Sequence, residues 1–524
     1  MDSDSERQDA VSRLTRAYSR EPVLELPEGP KIKVSEAVAT LAVVYEKLRQ
    51  AVEFNEPHLL RRVATARILA RRLRADSDSA LVAEGLVKEL IRGRYLPNDF
   101  YPESLITEVA KILDKYRLVL RARELSPVGE DFAWLAGLAS AEIEEFFAPP
   151  ERDDALAALM IANLHRAVLL SDPQIDESQA LVQLRLAIAK NLFKLDRPLL
   201  EFNLFELFYP DWKTAGEVHV EEVAATLPSL RAATEKALAY PLSGALSALV
   251  RRYTSPFGLL RDALRGEGVS ILRDKFALAQ SISHSYARKF ARERERLATA
   301  ATRALIYIFL TKVVLSFAFE LPLERLIYGE VRDLPFLINF LFPPFLIFLL
   351  TLSITPPGRE NEERITLAAG EAVFGGGKVF SEQNRVEVKK RGTGLALTLF
   401  TIYLLAFALI FGAGSYGLTR LGFTPLSIIL FFFYTSVVTY FGIRIRESSR
   451  GLVMVGGKET LASAAFDFLA LPFLRVGSVI SAWLDRFNVL NILASLLIEA
   501  PFQTIIEVLE EWVSFAREKK EEVF

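Results

Sequence analysis

The chain has 524 residues, with 51% apolar and 24% charged side chains and a net charge of −2, which is room for two to four domains. The charge balance excludes the global basic excess of a nucleic-acid binder. The absence of cysteine excludes disulfides, thiolate nucleophiles and cysteine-ligated metals.

Charge is dense in the first 300 residues and sparse in four later runs. That split predicts an all-α membrane protein with a large, irregular cytoplasmic helical domain, a four-helix transmembrane region and C-terminal amphipathic helices. Residues 1–30 open as MDSDSERQDA, acidic and polar, without a basic n-region or an apolar h-region. They read as a flexible terminus with no cleavable signal.

From 31 to 300 the apolar spacing is helical. Lys33–Phe54 carries Val34, Ala37, Leu41, Val44, Leu48 and Val52 on one face. Pro57 opens the next helix, and Ser79 is placed to cap ALVAEGLVKELIRGR. Pro102 precedes ESLITEVAKILDKYRLVL. Further helices are predicted near Gly129–Phe147, Asp153–Leu170, Glu177–Phe193, Val220–Ala239, Ser243–Leu264 and Ser270–Thr302. The last is placed to run straight into the first span. No fixed period repeats, so a solenoid is not supported. Arg61, Arg62, Arg67, Arg71, Arg72 and Arg74 crowd one helix. They suit either an anionic partner or the acidic helices beside them.

Residues 301–445 hold four apolar segments, 304–319, 335–355, 395–414 and 423–443. A crossing needs about 20 apolar residues, so the first is short, and it carries Lys312. Basic residues dominate before the first segment, in the loop 356–394 and after the fourth, and are scarce in the two short connections. That alternation predicts a multi-pass protein of a bacterial inner membrane with both termini cytoplasmic. Within 359–393 a weak alternation (Ile365/Leu367, Val386/Val388) predicts a small β element with Gly375–Gly377 as its turn.

Lys312 shares a face with Ser316 and Glu320, but two turns of rise, ~12 Å, separate it from Glu320, too far for a direct pair. In the second segment Pro343 and Pro344 deprive the carbonyls of Asn339 and Phe340 of their helical donors. Lys312 is therefore expected inside the bundle, donating to that broken backbone, with snorkelling to the headgroups as the alternative.

Residues 446–524 carry an apolar seam from Phe466 to Leu497 and a second stripe after Pro501. Trp483 and Trp512 suit a membrane interface. Packing through 466–516 on a second copy, on a partner protein or on the N-terminal domain competes with that reading.

No catalytic, cofactor or metal constellation is present. The four histidines are scattered, and the glycines before Lys378 and Lys458 lack the spacing of a phosphate loop. The stretches EKLRQAVEFNEPHLLRRVATARILARRL…ELIRGRYLPNDF (46–100) and RVGSVISAWLDRFNVLNILASLLIEAPFQTIIEVLEEWVSFAREKKEE (475–522) resemble an uncharacterised family of multi-span membrane proteins of uncultivated, ultra-small bacteria. The resemblance implies a bacterial inner-membrane protein and brings no activity and no site residues. The expected function is a membrane scaffold or assembly protein in the lipid bilayer. The alternative is an oligomeric channel or transporter lined by Lys312 and the Pro343-Pro344 break.

Overall fold

The computed structural model describes residues 3–20, 27–35, 59–126, 129–172, 175–352, 359–380, 384–387, 393–448 and 461–486. The fold is helical, and its two short strands hold four residues each. The chain divides into two compact units. One holds the residues up to Val250 with strand residues 384–386, and the other runs from Arg251 through the described residues that follow.

In the first unit α1 (Ser3–Ser19) corrects the expectation of a flexible terminus. Ala10, Leu14 and Tyr18 recur every fourth residue and are buried, giving this polar segment one apolar stripe. It packs on α6 (Glu151–Leu164), where Arg152 lies over the Tyr18 ring at 5.1 Å.

Between them come α2 (Leu60–Ala75), α3 (Ser79–Arg92), α4 (Ser104–Ala122) and α5 (Glu130–Phe147). Asp78, not Ser79, caps α3, accepting the Ala80 N–H at 2.8 Å. After α6 the predicted helix to Leu170 stops short. Residues 168–171 instead form β1 (Val168–Ser171), which pairs with β2 (Asn384–Glu387). Then follow α7 (Glu177–Leu192), α8 (Arg197–Phe208) and α9 (Glu217–Leu238). Asp176 and Asp196 accept backbone N–H groups at the starts of α7 and α8. Most of Lys33–Phe54, together with Pro57, lies outside the described residues.

The core of this unit centres on Phe202, Phe205, Trp212 and Tyr116. A buried polar node beside it is closed on itself. Glu142 accepts from Tyr116 Oη (2.8 Å), Trp212 Nε1 (2.8 Å) and Lys115 Nζ (2.5 Å), as a buried carboxylate requires.

The helix α10 (Ser243–Glu267) runs from the first unit into the second. There α11 (Lys275–Leu315) is 41 residues long, ~60 Å of helix. A π-turn (Ser316–Glu320) joins it to α12 (Leu321–Tyr328). Pro322 offers no N–H to the carbonyl of Ala318, which loosens the backbone at that turn.

Next come α13 (Asp333–Leu352), α14 (Arg359–Phe374), α15 (Thr393–Arg420), α16 (Pro425–Ser448) and α17 (Leu461–Arg486). Among the described residues three helices are long and apolar enough to cross a membrane, over Asp333–Leu350, Phe400–Arg420 and Pro425–Ile443. The segment 304–319 is not among them; it forms the end of α11, and helical backbone continues past it to Tyr328.

The β element predicted in 359–393 is corrected in part. Ile365, Ala368, Ala369, Ala372 and Val373 are buried at helical spacing and make 359–374 a helix. Gly375 and Gly376, at φ 74° and 81°, end it rather than turning a hairpin. Among the described residues of this loop only 384–387 is strand.

Gly442 allows the close approach of α13 and α16, since a Cβ there would meet Leu350 Cδ1 at 2.4 Å. Gly477 does the same for α16 and α17, where a Cβ would lie 2.3 Å from the Ser436 carbonyl oxygen.

Candidate functional site

The helices α11, α13 and α16 and the short α12 bring together the most deeply buried charges of the second unit. Lys312, Glu320, Glu324 and Asn339 are each at most 2% exposed. Lys312 Nζ donates to Glu320 Oε2 at 2.6 Å and lies 3.9 Å from the centroid of the Tyr434 ring. Ser316 Oγ donates to the same Glu320 oxygen at 2.9 Å. The other Glu320 oxygen accepts from Asn339 Nδ2 at 2.9 Å, and that amide also reaches the Ser427 carbonyl oxygen at 3.1 Å.

Two expectations are corrected here. Glu320 is a direct partner of Lys312, although helix rise alone sets them ~12 Å apart. Eight residues of regular α-helix also overshoot two turns by about 80°. The π-turn holds more residues per turn and brings Glu320 back over Lys312, and two extended side chains cover the remaining rise. Second, Lys312 binds this carboxylate and not the backbone at Asn339–Phe340. The helix α13 runs through Pro343 and Pro344 without ending, so the proline pair does not open a gap there. Asn339 contributes its side-chain amide instead.

Sequence reasoning missed Glu324, placing it in an outer connection. Its Oε1 accepts from Thr424 Oγ1 at 2.9 Å and from Ser427 Oγ. Thr424 Oγ1 also accepts the Ser427 N–H at 3.1 Å, capping α16. Glu324 thus sits at a helix N-terminus, where the macrodipole and hydroxyl donors favour negative charge. The available signal was the spacing of Lys312, Ser316, Glu320 and Glu324 by four, with Leu323, Leu326 and Ile327 on the exposed side.

The cluster joins four helical segments. Chemically it is a buried ion pair with a carboxamide bridge, in which Asn339 Oδ1 has no hydrogen-bond partner. The Lys312 amine is held by Glu320 and the Tyr434 ring, and no cluster of three or more His, Asp or Glu suited to a metal ion occurs among the described residues.

The arginine-rich helix α2 is also engaged. Arg61 pairs with Glu144 through Nε (2.9 Å) and Nη2 (2.7 Å), in the bidentate geometry that favours arginine. Arg62 pairs with Asp196 at 2.5 Å, and burial lowers its pKa. Arg71 and Arg72 converge on Glu89 at 2.5 and 2.7 Å, Arg74 covers the Phe132 ring at 5.4 Å, and Arg67 is half-buried. Four of the six arginines thus pair with the protein's own acidic side chains.

Near it, Lys213 bridges Glu145 and Glu206, each at 2.7 Å. Burial, with Glu206 nearby, pushes the Glu145 carboxyl up to about 7, while the two carboxylates raise Lys213. Trp483 lies near the end of α17, and Trp512 falls outside the described residues. Comparison with protein-family models, with curated proteins and with solved structures finds no match for this chain.

Proposed function

We propose that the protein is a four-span scaffold of a bacterial inner membrane, anchoring a cytoplasmic helical domain and organising it at the membrane surface. The observation that carries this reading is the engagement of Lys312. Its side chain is 1% exposed and its ammonium is held by Glu320, so the one cation of the apolar segment ties helices together and is not displayed to a solute. A buried pair of this kind contributes more to helix register than to stability.

The fourth crossing is the end of α11 continued through the π-turn into α12. From Ala304 to Tyr328 it has ~37 Å of helical rise, ample for ~30 Å of hydrocarbon. Arg332 Nη1 donates to the Gly422 carbonyl oxygen at 2.8 Å, joining the two short connections at one end of the bundle. That contact supports the alternation in which both hairpins face outward and both termini face the cytoplasm. The seam of α17 packs on α16 around Gly477, which favours a membrane-seated helix over a free one for 461–486.

Purified protein in proteoliposomes tests the scaffold against the channel. The expected result is proton and monovalent-ion leakage no greater than in protein-free vesicles. A flux abolished by Lys312→Met would overturn the scaffold reading.

A further inference from the structure

The arginines of α2 are spent within the protein, but a second basic surface is not. Between Arg251 and Arg303 the sequence has twelve Lys and Arg against five Asp and Glu, in a chain whose net charge is −2. All twelve fall on α10, α11 and the turn between them. Lys289 fixes the two helices against each other, reaching Asp262 at 3.0 Å. Gly258 and Gly266 of α10 also lie beside α11, where a Cβ would meet Lys289 Nζ at 3.7 Å and Arg288 Nη2 at 3.6 Å.

On α11 the residues His284, Arg288, Arg292 and Arg296 recur every fourth position and are exposed, forming one stripe. Arg252, Arg265 and Arg294 are exposed too. Among the described residues Arg252, Arg265, Arg292 and Arg294 have no ion-pair partner, and Arg296 has only a 3.5 Å contact to Glu293. Ten of the twelve basic residues are arginine, the side chain whose planar fork matches phosphate oxygens.

We infer that this basic hairpin is a binding surface for the phosphodiester headgroups of anionic phospholipids in the cytoplasmic leaflet. The inference rests on the four-span reading, which sets α11 upright at the membrane. Its placement selects lipid over nucleic acid. The same unbroken helix passes from Arg296 to Ala304 in ~12 Å of rise, about half of it within the headgroup layer, so Arg296 sits within a Debye length of the headgroups, with Arg292 and Arg288 one and two turns further out on the same face.

The test uses the full-length protein in neutral detergent, mixed with phosphatidylglycerol or phosphatidylcholine, and reads retained lipids by native mass spectrometry. Expected is at least a tenfold preference for phosphatidylglycerol, lost in Arg288→Gln/Arg292→Gln/Arg296→Gln. Arg61→Gln is the control for general loss of positive charge and keeps the preference. Equal retention of the two lipids, or a preference unchanged in the triple variant, overturns the inference. Displacement of phosphatidylglycerol by a single-stranded oligonucleotide at equal phosphate concentration also overturns it, in favour of nucleic acid. Impermeant-maleimide labelling of Glu295→Cys and Glu330→Cys in intact cells separately tests the four-span reading: a protein labelled at Glu330→Cys at once and at Glu295→Cys only after permeabilisation, yet without lipid preference, fails only the present inference.

Discussion

At the scale of single residues, the central group is Lys312. Removing it alone leaves Glu320 buried with only Ser316 and Asn339 as donors. Lys312→Leu is therefore expected to destabilise the protein by about 3–5 kcal/mol. Lys312→Leu combined with Glu320→Leu is expected to cost much less, because no charge is left unpaired. Unfolding of the two variants in one detergent measures this, and equal losses in both would contradict the pairing.

Glu145 gives the pH prediction. Its carboxyl in the folded protein titrates at about 7, above the ordinary 4.5. Between those values the folded state holds a proton that the unfolded state has released. The stability tied to Glu145 is thus fully present below pH 4.5 and lost as pH rises through about 7. Glu145→Gln is expected to flatten that dependence, read by tryptophan fluorescence of Trp212 and Trp134 across pH 5–8.

Lys312 was visible in the sequence as an expensive charge, yet its partner was not. The pairing depends on a π-turn, and no residue type marks one; Pro322 was the available cue. The arginines of α2 were visible as a group for the opposite reason. Their carboxylate partners Glu144 and Asp196 lie 83 and 134 positions away in the chain, and spacing cannot show such pairs.

At the scale of elements, helix contacts in the second unit turn on glycines. Gly477→Leu would drive a side chain into the Ser436 carbonyl and Tyr440, so α17 is expected to leave α16 while the apolar spans stay inserted. The chain has no cysteine, which makes cross-linking clean. Phe432→Cys/Phe473→Cys, whose native rings lie 6.3 Å apart, should join with a short bifunctional maleimide. The same pair in a Gly477→Leu background should not, and unchanged cross-linking would mean that α17 does not depend on this contact.

Elements with a strong apolar run or a proline at the start could be read directly, as α13 (Asp333–Leu352) and α4, which follows Pro102, show. The N-terminal α1 could not, because its stripe is only Ala10, Leu14 and Tyr18 in a polar background. The segment 359–374 was misread because Ile365, Leu367 and Val373 satisfy a two-residue period as well as a helical one. Packing of Ala368, Ala369 and Ala372 decides for the helix.

At the scale of the whole molecule, charge is partitioned between a paired, self-contained helical unit and a membrane unit whose buried charges also find partners internally. Among the described residues three helices are long and apolar enough to cross a membrane, and the proposed fourth crossing depends on the ion pair that would let a lysine and two glutamates enter an apolar segment. The account therefore stands or falls on whether the chain crosses at α11–α12. Single cysteines at Glu330 and Leu421, in the two short connections, and at Glu295 and Glu360, in the basic regions, distinguish the possibilities in intact cells. A membrane-impermeant maleimide is predicted to label Glu330→Cys and Leu421→Cys at once, and Glu295→Cys and Glu360→Cys only after permeabilisation. Labelling of Glu295→Cys and Glu330→Cys from the same side would contradict the crossing that Lys312 and Glu320 make possible.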